Sequence, residues 1–213
     1  MDEQRSLEPE EQSLGAWFLR AWGTHPLTLL GINLVFLVAC LPVLTIPAAV
    51  CGMNAAIQRL YRQRFAESVF KVFWREFLEK FALRTAMILG LTAVPTAAVL
   101  LMKDSVTSVW GLVLAAVLMA LTLVILSWFI PQLVLLNLKP GQALKNACIF
   151  TCIETRVNFI LIAIHAVELT AMIYALPTSG FALLILPVLH TVLTTGIVMP
   201  VLEEKLVWED DNT

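Results

Sequence analysis

The chain has 213 residues, of which 59% are apolar and 14% charged, with a formal net charge of −2 and a mean hydropathy of +0.84. Soluble domains carry roughly 45–50% apolar and about 25% charged residues, so the composition excludes water as the solvent for most of this chain. A near-neutral balance, with acidic residues interleaved among the basic ones, argues against a nucleic-acid partner.

Residues 1–12 are polar and acidic, with Asp2, Glu3, Glu8, Glu10 and Glu11 where a signal peptide would need a basic start. From Ser13, a fair N-cap, the spacing of Leu14, Trp17, Phe18 and Ala21 predicts an amphipathic helix. Trp17 and Trp22 suit the headgroup layer. Residues 1–26 therefore read as an acidic tail plus an interfacial helix, closed by Gly23 and Pro26.

The first membrane segment is expected over residues 27–50. Pro42 and Pro47 interrupt it, and each proline removes a backbone donor. The carbonyls so freed need partners at membrane depth, and Thr45 stands between the prolines to supply one. The motif can be a kinked helix or a broken helix lining a polar cavity, as in some transporters. Asn33, in the same segment, is suited to an interhelical hydrogen bond.

Residues 51–84 read as a cytoplasmic amphipathic linker with seven Lys or Arg. Within it Phe70, Phe73, Trp74, Phe77 and Phe81 recur at helical spacing. The opposite face carries Glu67, Lys71, Arg75, Glu76 and Lys80, with Glu67–Lys71 and Glu76–Lys80 as i, i+4 pairs. This predicts a helix over 67–81 lying at the membrane surface with its aromatic face inward.

The second segment is expected over 85–102, bent near Gly90 and Pro95, and ended by Lys103-Asp104. Residues 105–138 are uncharged. As a straight helix they would extend ~51 Å, which predicts one overlong span bent at Pro131. A second polar linker follows over 139–156. Leu144, Ala147, Cys148 and Thr151 predict a short helix there. The four cysteines, Cys40, Cys51, Cys148 and Cys152, form neither a disulfide framework nor a zinc spacing.

From Val157 to Leu202 only Glu168 is charged. Leu176–Gly180 divides this stretch into two runs, 157–176 and 181–202, each long enough to cross a ~30 Å hydrocarbon core. Residues 203–213 form an acidic tail. The fold class is thus an all-α polytopic membrane bundle with about five membrane segments. On that count, eleven basic residues fall on the side of the two linkers and the tail, against three on the other. The C-terminus is then cytoplasmic and the N-terminus outside. Should the first segment re-enter instead of spanning, the N-terminus is cytoplasmic as well.

The hairpin carries the ionisable side chains of the membrane region. Glu168 lies about 10.5 residues before the centre of the turn and His190 about 11.5 after it, so both sit ~16–17 Å from the tip. His165 is one helical turn away on the face of Glu168. Intramembrane ionisable groups point to a proton or substrate relay, or to a polar clasp between two helices. The three side chains are also a set of zinc-ligand types, but their spacing matches no metalloenzyme signature. No metal or cofactor is expected. Phosphate-loop, zinc-protease and nucleophile-elbow motifs are absent from the sequence, so no enzyme is expected.

Asn33-Leu-Val-Phe-Leu followed by Leu41-Pro-Val-Leu-Thr45 resembles the N-x-L…L-P-V/I-x-T block of the YesL-like family, bacterial integral membrane proteins of unknown function. The run Phe70-x-x-Phe73-Trp74-x-x-Phe77-x-x-x-Phe81 resembles the next block, and Leu138-Lys-Pro-Gly-Gln-Ala-Leu-Lys-Asn146-Ala a later surface segment. The resemblance implies a bacterial plasma-membrane protein whose relatives are often encoded beside carbohydrate transporters. It implies a non-enzymatic accessory or scaffold for carbohydrate uptake, with a sugar ABC transporter or another membrane protein as partner. The alternative from the residues is a small transporter or channel using His165, Glu168 and His190.

Overall fold

The computed structural model describes residues 14–62, 68–101, 108–136, 138–175 and 181–206. Ser13, Glu67, Lys103-Asp104, the turn at 176–180 and the tail beyond Leu206 lie outside the described residues. The described chain is helical throughout: α1 (Leu14–Thr24), α2 (Pro26–Ala39), a 3-10 turn (Val43–Thr45), α3 (Ile46–Tyr61), α4 (Val69–Leu78), α5 (Phe81–Leu101), α6 (Val109–Leu135), α7 (Pro140–Ile153), α8 (Thr155–Ala175) and α9 (Phe181–Leu206). Five of these helical stretches are long and apolar enough to cross a membrane. A sixth span results if α1 and α2, bent by 87° at Thr24–Pro26, are taken together. The protein is an all-α polytopic bundle.

Local sequence sets the helix starts. Pro26 and Pro140 open α2 and α7 at positions whose N–H would lack a partner anyway. Ser108 caps α6, its Oγ accepting from the Gly111 N–H at 3.1 Å.

The first membrane segment differs from its expected form. The chain leaves α2 at Ala39, turns through Cys40–Thr45 and returns as α3. Thr45 closes the neck of this turn. Its hydroxyl bonds the carbonyls of Pro42, at 2.5 Å, and of Ala39. That the two helices run antiparallel follows from α4. Gly31 on α2 faces the Phe70 ring, and Gly52 on α3 faces Phe73, one turn further along α4. Gly31 and Gly52 are near-equidistant from the turn, so one face of α4 can span both.

Residues 51–61, read from sequence as the start of a cytoplasmic linker, are in the structure a continuation of α3, the most enclosed of the five candidate spans. The candidate span runs Val43–Tyr61 and is 67% buried within the protein, against 11% for the spans in α6 and α8. The reason is packing: α4, α2, α9, α6 and α5 all lie against α3. Asn54 and Gln58 are tolerated there because protein surrounds them, and Asn54 donates to Val50 O at 3.0 Å.

Two apolar clusters build the core. One joins α1, α2, α3 and α4 to α9 around Trp17, Leu29, Ile57, Phe73 and Val192. The other joins α3, α5, α6, α7, α8 and α9 around Cys51, Trp128, Phe150, Leu161 and Leu202. Trp17 packs inside the protein. It is buried, donates to Val192 O at 3.1 Å and meets the Tyr61 ring edge-on at 5.0 Å. Helix α1 consequently lies beside the last turn of α3.

Helix α4 is amphipathic as its period predicts. Val72, Phe73 and Phe77 are buried, while Lys71, Trp74, Arg75 and Leu78 are exposed. It packs into the bundle along α3 and ends at Leu78. Lys80, with φ 53°, turns the chain into α5. Glu76, expected to pair with Lys80, instead meets Arg84 at 2.9 Å. On α7 the packed face is Ala143, Ala147 and Phe150, and Cys148 and Cys152 are exposed.

Candidate functional site: an intramembrane His–Glu–His cluster

Helices α8 and α9 run antiparallel on either side of their connection and bring the three ionisable groups together. His190 Nδ1 lies 2.5 Å from Glu168 Oε2. The pair has ion-pair distance without the angles of a hydrogen bond, since Nδ1 is buried with no partner of hydrogen-bond geometry. The His165 and His190 rings lie 4.8 Å apart, centroid to centroid. One ligand-type atom from each of His165, Glu168 and His190 falls within 4.8 Å of the others. All three side chains are partly buried.

A third helix reaches the cluster. Ser127 on α6 places its Oγ 3.0 Å from His165 Nε2 and 2.9 Å from Leu123 O. With its proton given to Leu123 O, that hydroxyl accepts from His165 Nε2–H, which fixes the tautomer and the ring. On α9, Thr191 donates to Pro187 O at 2.9 Å and Thr194 to His190 O at 2.9 Å. These bonds support the helix around His190, just after a proline that cannot donate.

The cluster faces an inner cavity of about 280 Å³, whose polar lining includes Asn54, Ser127, His165, Glu168, His190 and Thr194. A second cavity, about 260 Å³, lies between α8 and α9 and is lined by Ile160, Ile164, Val167, Leu186 and Leu189. Glu168 and His190 line both. The pair therefore sits between a mixed cavity and an apolar groove and lines both.

The other residues singled out from sequence are elsewhere. Asn33 is fully buried on α2, Pro47 is buried in the first turn of α3, and Pro42 and Thr45 form the hairpin neck. This motif reaches the cluster through the packing of α2 and α3 on α9 and through the cavity wall, to which α2 contributes Phe36 and α3 contributes Val50, Met53 and Asn54. Of the aromatic run, Phe73 and Phe77 are core, Phe81 is half-buried at the start of α5, and Phe70 and Trp74 are exposed. Their rings form a ladder, with Trp74–Phe77 at 5.4 Å and Phe77–Phe81 at 5.8 Å.

Sequence reasoning missed several polar contributors. Ser127, Asn54 and Thr194 lie in apolar runs and carry no spacing signal. Asn158 binds three groups: it accepts from Trp128 Nε1 at 2.8 Å and donates to Phe150 O at 3.2 Å and Thr151 O at 2.8 Å. It ties α6, α7 and α8 together. The usable signal was Trp128, an indole N–H in a lipid-like run that needs a partner.

Residues 29–103 match a family described as a protein of unknown function, DUF624. No curated protein and no solved structure matches the chain. The matched stretch covers α2 to α5, hence the hairpin neck and the aromatic run. It ends before α6, so His165, Glu168 and His190 lie outside it.

Proposed function

We propose that this is a small membrane transporter or channel whose working centre is the His165–Glu168–His190 cluster, handling a proton or a small cation. The observation that carries this reading is the convergence of three ionisable side chains, from two helices, on an intramembrane cavity. Ionisable groups at membrane depth are costly and are kept where they line a pathway or pair with one another. Here they do both. Leu or Val at these positions would pack two antiparallel helices equally well.

The test uses purified protein in proteoliposomes under an imposed pH or cation gradient, with an entrapped dye reporting flux. Wild-type protein should conduct. Glu168→Gln and His190→Ala should each lower flux about tenfold or more while melting normally in detergent. Gradient-driven flux absent from the wild-type protein would overturn the reading.

The resemblance to the YesL-like family supports a second reading, a non-enzymatic accessory of carbohydrate uptake with a sugar ABC transporter as partner. The exposed apolar faces of α6 and α8, including Trp110, Val117, Phe159 and Val167, suit lipid or such a partner. Stable copurification with a sugar transporter, without flux by the protein alone, favours it.

Either reading places the protein in the bacterial plasma membrane with the C-terminus cytoplasmic. The α2–α3 hairpin, with α1 beside the end of α3, supports a cytoplasmic N-terminus as well. On a cysteine-free background, Gly23→Cys and Lys145→Cys should both resist an impermeant maleimide in intact cells. Ser108→Cys should react. Rapid labelling of Gly23→Cys in intact cells would restore the five-span topology with the N-terminus outside.

A further inference from the structure

We infer that His165, Glu168 and His190 form a binding site for one divalent transition-metal ion of the zinc, cobalt and nickel class. The inference rests on the reading that this cluster is the working centre, and it names the cation.

Three observations converge. The first is the donor set. Two imidazoles and one carboxylate suit zinc and its neighbours. A single carboxylate does not suit magnesium or calcium, which take mostly oxygen. The second is distance. With metal–ligand bonds of ~2.0–2.1 Å, the ligand atoms of a tetrahedral site stand ~3.4 Å apart. Here Glu168 Oε2 and His190 Nδ1 are 2.5 Å apart and all three ligand atoms lie within 4.8 Å of one another. Both figures lie within about 1.5 Å of that ~3.4 Å edge, a gap on the scale of side-chain rotation. The third is support and access. Ser127 holds His165 by Nε2, the kind of outer contact that orients a ligating imidazole. The cavity beside the cluster leaves a fourth position open to water or solute.

Charge agrees. Two neutral imidazoles and one carboxylate reduce a divalent ion to a single net positive charge. Glu168 Oε2 and His190 Nδ1, 2.5 Å apart, stand closer than the ~3.4 Å edge of such a site. A metal inserted between them would separate the two atoms and satisfy both.

The ligands sit on two helices, with His165 and Glu168 three residues apart on α8 and His190 on α9. That explains why no short metal motif is visible in the sequence.

The test uses full-length protein in detergent, with a tag free of histidine and on a Cys148→Ser/Cys152→Ser background. This background removes the exposed thiols from competition. Metal-stripped protein is titrated with Co²⁺ and read by its visible ligand-field bands, followed by competition with Zn²⁺. One Co²⁺ per chain should bind, with the strong bands of four-coordinate geometry, and Zn²⁺ should displace it. Ser127→Ala should weaken binding by roughly 10–100-fold and shift the bands. His165→Ala, Glu168→Gln and His190→Ala should each weaken it more, at unchanged elution volume and helical content. Absence of saturable one-to-one binding would overturn the inference. So would binding unaffected by the three ligand substitutions, or displacement by Mg²⁺ as readily as by Zn²⁺. Proton flux in proteoliposomes without metal binding overturns the metal site and leaves the transport reading standing. Tight binding without flux supports the metal site and overturns transport, making the ion a clasp between α8 and α9.

Discussion

Arg84→Met will lower the detergent melting temperature sharply, with an expected cost of about 3–5 kcal/mol for breaking a buried ion pair. Arg84 is 4% exposed at the start of α5. Its guanidinium donates to Glu76 Oε2 at 2.9 Å and to the Glu76 backbone carbonyl at 2.7 Å. That carbonyl lies in the last turn of α4, where no further helical N–H follows. The same cation thus pairs a carboxylate, caps a helix end and opposes the negative end of the α4 dipole. Removing it takes from the largely buried Glu76 its closer cation and leaves the longer 3.6 Å contact with Arg75. The double variant Arg84→Met/Glu76→Met should recover most of the loss, because an apolar pair of similar volume can replace a buried ion pair at little cost. An Arg84→Met variant that melts as the wild type does would show that Glu76 reaches water and that the pair is ornamental to stability.

The same residues show what the sequence made legible. Period and charge marked α4 as amphipathic, and its aromatic face does turn inward at Phe73 and Phe77. Arg84 was counted as one of the linker's basic residues, because nothing in a linear reading separates a solvated cation from one folded back onto a helix end. A similar blindness displaced the first membrane helix. Apolar composition finds helices that face lipid, and α6 and α8 are such helices, 11% buried across their spans. The central helix α3 faces protein instead, so Asn54, Gln58 and Arg59 are permitted in it, and those residues make it read as linker. Pro42 and Pro47 did announce a break; Thr45 bonds the carbonyls of Ala39 and Pro42 there, while Val38 O and Val43 O are met by the backbone N–H groups of Leu41 and Ile46. What they could not announce is that the chain reverses there. For the cluster, counting residues from the turn matched the heights of Glu168 and His190. The rotation of each helix about its own axis comes from packing against α6, and Ser127, 38 residues before His165, carries no local signal of that contact.

Gly52→Val should be the second large loss, and it tests the hairpin that composition missed. A Cβ at position 52 would stand 2.9 Å from the carbonyl oxygen of Phe73 and 3.2 Å from its ring. A carbonyl oxygen belongs to the α4 backbone, so relief requires the whole helix to retreat from α3. Phe73 is fully buried and its neighbour Phe77 nearly so, and a retreat would loosen both from the core. Overpacking of this kind costs about 1–3 kcal/mol, and valine adds two methyl groups beyond the Cβ. Gly31→Ala is the control. Its Cβ would meet the tip of the Phe70 ring at 2.8 Å, which is as tight on paper. Phe70, however, is 37% exposed and can rotate outward. Replacing a helical glycine by alanine also gains about 1 kcal/mol of helix propensity, so Gly31→Ala should melt near the wild-type temperature. Gly52→Val should melt well below it and expose the α3–α4 contact, so that a cysteine at position 73 becomes reactive to maleimide. Equal melting temperatures for the two variants would mean that α4 does not rest on α3, and that residues 51–61 are free of the bundle after all.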